Sequence, residues 1–374
     1  MMRIHRRELF RQFGAAAGAT AFLPSFVASA ASAVDSHGRL IRLDRNESAQ
    51  GPCEKAKAAF REAITEANRY PGADVENLCA AVATHNRVQP ENITLGCGAT
   101  ELLRMAADAF LGPGKSLVMA SPTFETIALA ARLQGAEVRS IPLTRLYAHD
   151  LDAMLARTDR TTGLLYICNP NNPTGTLTPK ADLEALLSKL PPGVSVLIDE
   201  AYHDYVAPSD AYSSWTTRAA NNPQLMVTRT FSKAYGLAGL RAGYAVSSVE
   251  TTKRLAARRL PMAVNVVAAR VALAALSDPD YVKKIALLSS NHRQEFYNQA
   301  NARMLRSLDS QTNFVLLAAG RPGKEVAQLL RSRDVLVTAG YPSFEKHIRV
   351  SLGLPDEMEA FWRAWDASQP HHPM

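Results

Sequence analysis

Three apolar runs in this chain each give way to residues whose types could do chemistry. The run 225–228 leads into Thr230-Phe231-Ser232-Lys233 and then Ala234-Tyr235-Gly236-Leu237-Ala238-Gly239-Leu240-Arg241. The run 194–198 ends in Asp199-Glu200-Ala201-Tyr202, and 163–168 ends in Asn169-Pro170-Asn171-Asn172-Pro173-Thr174-Gly175. A fourth stretch, Gly96-Cys97-Gly98-Ala99-Thr100-Glu101, opens a helical pattern. If the runs are strands of an open parallel sheet, their carboxyl ends are where ligands collect.

Each group has a task if the ligand is an aromatic aldehyde bearing a phosphate. Lys233 can condense with the aldehyde, which needs an uncharged amine and hence a depressed pKa. Asp199 can pair with a ring nitrogen and keep it protonated, which makes the ring an electron sink. Asn172 and Tyr202 can hydrogen-bond a ring hydroxyl oxygen. Gly98, Ala99 and Thr100 at a helix start can offer backbone N–H groups to the phosphate. Thr230 and Ser232 can add hydroxyls, and Arg241 a bidentate, charge-assisted pair. Taken singly these features are ordinary. A Ser-Lys pair is commonly a solvated loop, Asp-Glu a helix cap, and an Asn-Pro-Gly run a turn in any protein. Their joint order and spacing is the specific signal.

These groups need elements to hold them. The patterns 54–67, 101–110 and 124–134 place apolar residues at three- and four-residue spacing and predict helices. Between them, 116–120, 163–168, 194–198, 225–228 and 243–246 predict short strands. Several are continuously apolar, as strands covered on both faces of a mostly parallel sheet must be. The expected fold is α/β, with a large helix-covered sheet over 70–264. A smaller α+β domain follows over 265–374: a long helical stretch 265–304, strand 313–317, helix 324–332, strands 335–338 and 347–351, and helix 356–367. Residues 34–69 form an N-terminal segment joining the small domain.

With 374 residues and 47% hydrophobic content the chain can bury a large core. The charged fraction of 21%, without long biased runs, excludes a disordered chain. The net charge is +7, and four arginines less one glutamate put +3 of it in the first 33 residues. No basic stripe interleaved with aromatics is present, so nucleic acid is not an expected partner. Cys53, Cys79, Cys97 and Cys168 lack CxxC or CxxH spacing, so no metal site is expected; reduced thiols are the plain reading, with disulfides open if the protein is exported.

Residues 1–33 read as an address. The basic start Arg3-Ile4-His5-Arg6-Arg7-Glu8-Leu9-Phe10-Arg11 precedes a weakly apolar, Ala- and Gly-rich run. Small-x-small cleavage sites lie before Ala31 and Val34. The Arg6-Arg7 pair resembles a twin-arginine export signal, although Leu9-Phe10 reverse the usual order and His5 replaces a hydroxyl residue. The expectation is export through the twin-arginine translocase to the periplasm, with no stable membrane anchor. An amphipathic helix that stays in place, in a cytoplasmic protein, is the alternative.

The stretch from Arg229 to Tyr244 resembles the lysine segment of the class II pyridoxal-phosphate-dependent aminotransferases of the histidinol-phosphate aminotransferase type. The motifs 169–175 and 199–202 match in the same order, as do Arg69-Tyr70-Pro71-Gly72 and His347-Ile348-Arg349-Val350-Ser351-Leu352-Gly353. The resemblance spans 43–353. It implies the fold-type-I architecture, pyridoxal phosphate as cofactor, and a homodimer with shared sites. It further implies ping-pong transfer between an amino-acid donor and a 2-keto acid acceptor, with Lys233 moving the proton. Arg349 would grip the substrate's carboxylate, and Tyr70 would reach the phosphate of the neighbouring subunit. Phe124 matches a ring-stacking aromatic, though an ordinary core aromatic is an equal reading. Asn46 falls in a substrate-facing stretch. Decarboxylation or oxidative deamination on the same scaffold remains open, as does a non-catalytic binding protein. One departure concerns substrate: Thr338 stands where the family commonly has an arginine for a substrate phosphate. The aromatic expected after Asn46-Glu47-Ser48-Ala49 is missing too. Both point away from histidinol phosphate.

Overall fold

The computed structural model describes residues 40–368; the twin-arginine segment lies outside the described residues. From Ile41 onward these form one compact unit. Twelve strands are present among the described residues: β1 (Ile41–Arg42), β2 (Ile93–Gly96), β3 (Ser116–Ser121), β4 (Glu137–Pro142), β5 (Thr162–Cys168), β6 (Ser195–Asp199), β7 (Leu225–Thr230), β8 (Gly243–Ser247), β9 (Phe314–Ala318), β10 (Val335–Leu336), β11 (Thr338–Ala339) and β12 (His347–Ser351).

Seven strands form the main sheet in the order β2-β8-β7-β6-β5-β3-β4. The pairings from β4 to β7 are all parallel, and β8 runs antiparallel to both its neighbours. The apolar runs are continuous because both faces are covered. Along β5, Leu164, Tyr166 and Cys168 face one core cluster while Leu165 and Ile167 face another. The expected α/β class and mostly parallel sheet are thus present. A three-stranded sheet, β11-β12-β9, and the pair β1-β10 carry the later segment.

Some boundaries differ from expectation. The stretch 265–304 is two helices, Val266–Leu276 and Pro279–Ala302. Pro279 cannot continue a helix through its missing N–H, and the Asp278 side chain caps the second helix at Tyr281 N. The run 335–338 is likewise split: β10 pairs with β1 and β11 with β12, with Val337 between. Helix 54–67 ends at Ala63 and passes into a 3-10 turn, Ile64–Glu66. Helix Gly98–Phe110 begins three residues before the expected 101, which puts Gly98, Ala99 and Thr100 in its first turn. The four cysteines carry no disulfide.

Candidate active site

Lys233 follows β7, and its amine is held from the other side of the chain. Nζ donates to the carbonyls of Asn46 at 2.9 Å and Arg45 at 3.1 Å, and lies 5.5 Å above the Tyr202 ring. Burial and then the Arg349 charge lower its pKa to about 7. An amine so placed is largely neutral just above that pH and able to act as a nucleophile.

Asp199 ends β6 and is buried. Tyr166 donates to its Oδ2 at 3.0 Å and Ala201 N to its Oδ1 at 3.1 Å. Among the described residues Asp199 makes no ion pair, whereas neighbouring Glu200 has Arg229. Burial accordingly pushes Asp199 up to about 6. A carboxylate taken out of water without a cation is costly, so this site fits a ligand that brings positive charge.

The anion cradle lies where β7, β8 and helix Gly98–Phe110 converge. Gly98 sits at φ +72°, and a Cβ there would strike the Arg241 guanidinium. A side chain on Gly243 would meet Ala99 N at 2.7 Å. Arg241, itself at φ +57°, donates to Ser232 Oγ at 3.2 Å and to Ala238 O at 3.0 Å. Thr230 Oγ1 accepts from Ser232 N at 3.1 Å. A helix N-terminus, two hydroxyls and a guanidinium at one place suit a phosphate. The cation-seeking carboxylate, the near-neutral lysine and this cradle together fit pyridoxal phosphate.

Arg349 of β12 is buried beside them. It donates to Asn172 Oδ1 and to Asp44 O, each at 2.6 Å, and to Thr338 Oγ1 at 3.3 Å. Its charge lies 5.4 Å from the Phe314 ring and 5.7 Å from Tyr341. Its Nε is buried and has no hydrogen-bond partner among the described residues. The Tyr202 hydroxyl accepts from Asn46 Nδ2 at 2.9 Å.

The structure therefore brings Lys233, Asn46, Tyr202, Asn172 and Arg349 together through direct hydrogen bonds or contacts, with Asp199 at the neighbouring strand end. Phe124 is half-buried against the core on the β5 Tyr166 face. Tyr70 does not join them: it is 82% exposed. Asn46 is a hub rather than a free side chain. It is buried at φ +53°, receives Ser351 Oγ on Oδ1 at 3.2 Å, and donates N–H to that same oxygen at 2.8 Å. Sequence reading missed Tyr166, Ser351 and Asn313, which donates to the Asn46 and Glu47 carbonyls at 3.1 and 3.0 Å. The one signal for Tyr166 was a hydroxyl inside an otherwise apolar strand.

Comparison with known proteins places this geometry in context. The family described as aminotransferase class I and II matches residues 39–363. Histidinol-phosphate aminotransferase 1 of Cupriavidus pinatubonensis is 40% identical over 328 residues, covering 86% of each chain. Histidinol-phosphate aminotransferase of Moorella thermoacetica is 36% identical, covering 87% of this chain and 84% of its own. The crystal structure of histidinol-phosphate aminotransferase from Sinorhizobium meliloti in complex with pyridoxal-5'-phosphate superposes with a TM-score of 0.83 at 27% identity, over 94% of this chain and all of that one.

Proposed function

The chain belongs to the aminotransferase class I and II family, and from that premise we propose its residue roles, its substrate class and its destination. It is a transaminase with pyridoxal phosphate as cofactor, moving an amino group between an amino donor and a 2-keto acid. When bound, the cofactor supplies an electron sink for the pair left at the substrate Cα.

The chain's own residues supply the rest. Lys233 provides the amine that anchors the aldehyde and, once released, takes the proton from the substrate Cα as general base. Asp199 keeps the ring nitrogen protonated. Tyr202 and Asn172 hold the ring hydroxyl oxygen, and Phe124 covers the ring. The N–H groups of Gly98, Ala99 and Thr100, with Thr230, Ser232 and Arg241, hold the phosphate, and Tyr70 of a second copy completes it. Arg349 grips the substrate's anionic group. Asn46, by its hydrogen bonds, serves the substrate site by orienting Tyr202.

One observation carries the substrate reading. Arg349 has Thr338 beside it, and the Thr338 hydroxyl is committed to Asp44 O at 2.6 Å. No arginine or lysine lies in 335–345. A site with one guanidinium suits an α-amino acid with a single carboxylate at the reacting end. Losing a second arginine from a desolvated phosphate site costs about 2–5 kcal/mol, roughly 30- to 4,000-fold in affinity. The names of the relatives favour the second reading, histidinol phosphate as amino donor. Measuring kcat/KM for histidinol phosphate and for unphosphorylated amino acids, with pyruvate or 2-oxoglutarate as acceptor, separates them. The first reading expects the amino acids to win clearly. A preference for histidinol phosphate overturns it.

We also infer that the protein is exported folded and works in the periplasm. The support is Arg6-Arg7 ahead of an apolar run and small-residue cleavage sites. A protein that folds around a cytoplasmic cofactor suits a route for folded cargo. Arg6→Lys with Arg7→Lys should leave full-length protein in the cytoplasm; unchanged periplasmic delivery would sink this inference.

A further inference from the structure

Tyr166 is fully buried in β5, with Leu197 of β6 as its strand partner, while Cys168 is paired with Asp199. Its hydroxyl reaches diagonally to Asp199 Oδ2 at 3.0 Å. A phenylalanine would fill the same apolar space, so the hydroxyl serves the carboxylate and not the core.

We propose that Tyr166 is a positioning residue that keeps Asp199 ionised and in one orientation, ready for the cofactor's positive charge. This rests on the reading of Asp199 as the partner of the ring nitrogen. An unpaired buried carboxylate escapes its desolvation cost by taking up a proton, and a neutral acid cannot then hold a proton on another group. The groups bearing on Asp199 are Tyr166 and Cys168 from β5, Glu200 just past the end of β6 and Thr228 from β7, with Tyr202 and Lys233 beyond. Burial is the largest influence raising Asp199, and the Tyr166 hydrogen bond the largest opposing it. Burial, and then Asp199 itself, hold the phenol protonated, so it donates at every working pH.

The test measures the dissociation constant of pyridoxal phosphate by fluorescence as a function of pH for the wild type, Tyr166→Phe and Asp199→Asn. A hydrogen bond to a charged group predicts about tenfold weaker binding in Tyr166→Phe at neutral pH. The pH below which affinity falls should move upward in that variant. In the holoenzyme kcat should drop while KM for the donor changes little. A fluorinated tyrosine at position 166 keeps the shape, donates more strongly, and should move the same midpoint downward; it also serves if the phenylalanine variant misfolds. Unchanged pH profiles in either variant overturn the proposal. If Asp199→Asn weakens binding while Tyr166→Phe does not, only the role of Tyr166 fails. If Asp199→Asn binds as the wild type does, the Asp199 reading itself fails.

Discussion

At the scale of single residues, the charge on Lys233 decides what the site can do. Its ordinary pKa of 10.5 falls to about 7 through burial, and next through the Arg349 charge. The sign follows from linkage: a depressed folded pKa means stability fully present above 10.5 and lost as pH falls toward about 7. The same shift makes the amine neutral where an ordinary lysine is a cation. Borohydride trapping of pyridoxal phosphate should therefore label the peptide containing Lys233, with a midpoint near 7 rather than 10. Arg349→Ala removes a cation and should move that midpoint up, and Lys233→Ala should lose the label and nearly all turnover. A label on another lysine would end the assignment. Lys233, Asp199 and Arg241 were legible in the sequence because their joint order and spacing is specific, although each is ordinary alone. Tyr166 and the inward turn of Asn46 were not. The first depends on a diagonal reach between neighbouring strands, the second on a left-handed backbone held by Ser351, about 300 residues away.

At the scale of elements, legibility followed burial. The central strands β5, β6 and β7 are buried at every position, so composition alone marked them. The edge strand β4, Glu137–Pro142, is mostly open to solvent and reads as a polar linker. β2 has four residues, too few for a period to show. Short strands fail for another reason: β10 and β11 are separated by one residue, and only pairing with different partners divides them. These errors leave the site untouched, because the chemistry sits where fully buried strands end. The helix beginning at Gly98 is the exception with functional weight. Sequence patterning started it at its first charged residue, Glu101. The structure starts it at a glycine whose missing side chain leaves room for Arg241. A helix start is set by its cap and by what must approach it, not only by apolar spacing.

At the scale of the whole molecule, one assigned residue has nothing to do within its own chain. Tyr70 follows the 3-10 turn Ile64–Glu66 and is 82% exposed, although tyrosine carries an apolar ring that usually finds cover. Every other residue given to the cofactor is buried or half-buried except Thr100, which lies in the first turn of its helix. If Tyr70 serves the phosphate of a neighbouring subunit, its exposure in one chain is what a shared site requires, and the two-fold relation makes the exchange reciprocal. Complementation then has a definite arithmetic. Tyr70→Ala and Lys233→Ala should each be nearly inactive as homodimers. In a mixed dimer, the subunit that keeps Lys233 receives Tyr70 from its partner, so one site of two is whole. Random reassembly makes half the dimers mixed, and the mixture should recover about a quarter of wild-type specific activity. If Tyr70 instead acted within its own chain, every site would lack one of the two residues. Verified heterodimers that stay inactive would place Tyr70 in its own subunit's site.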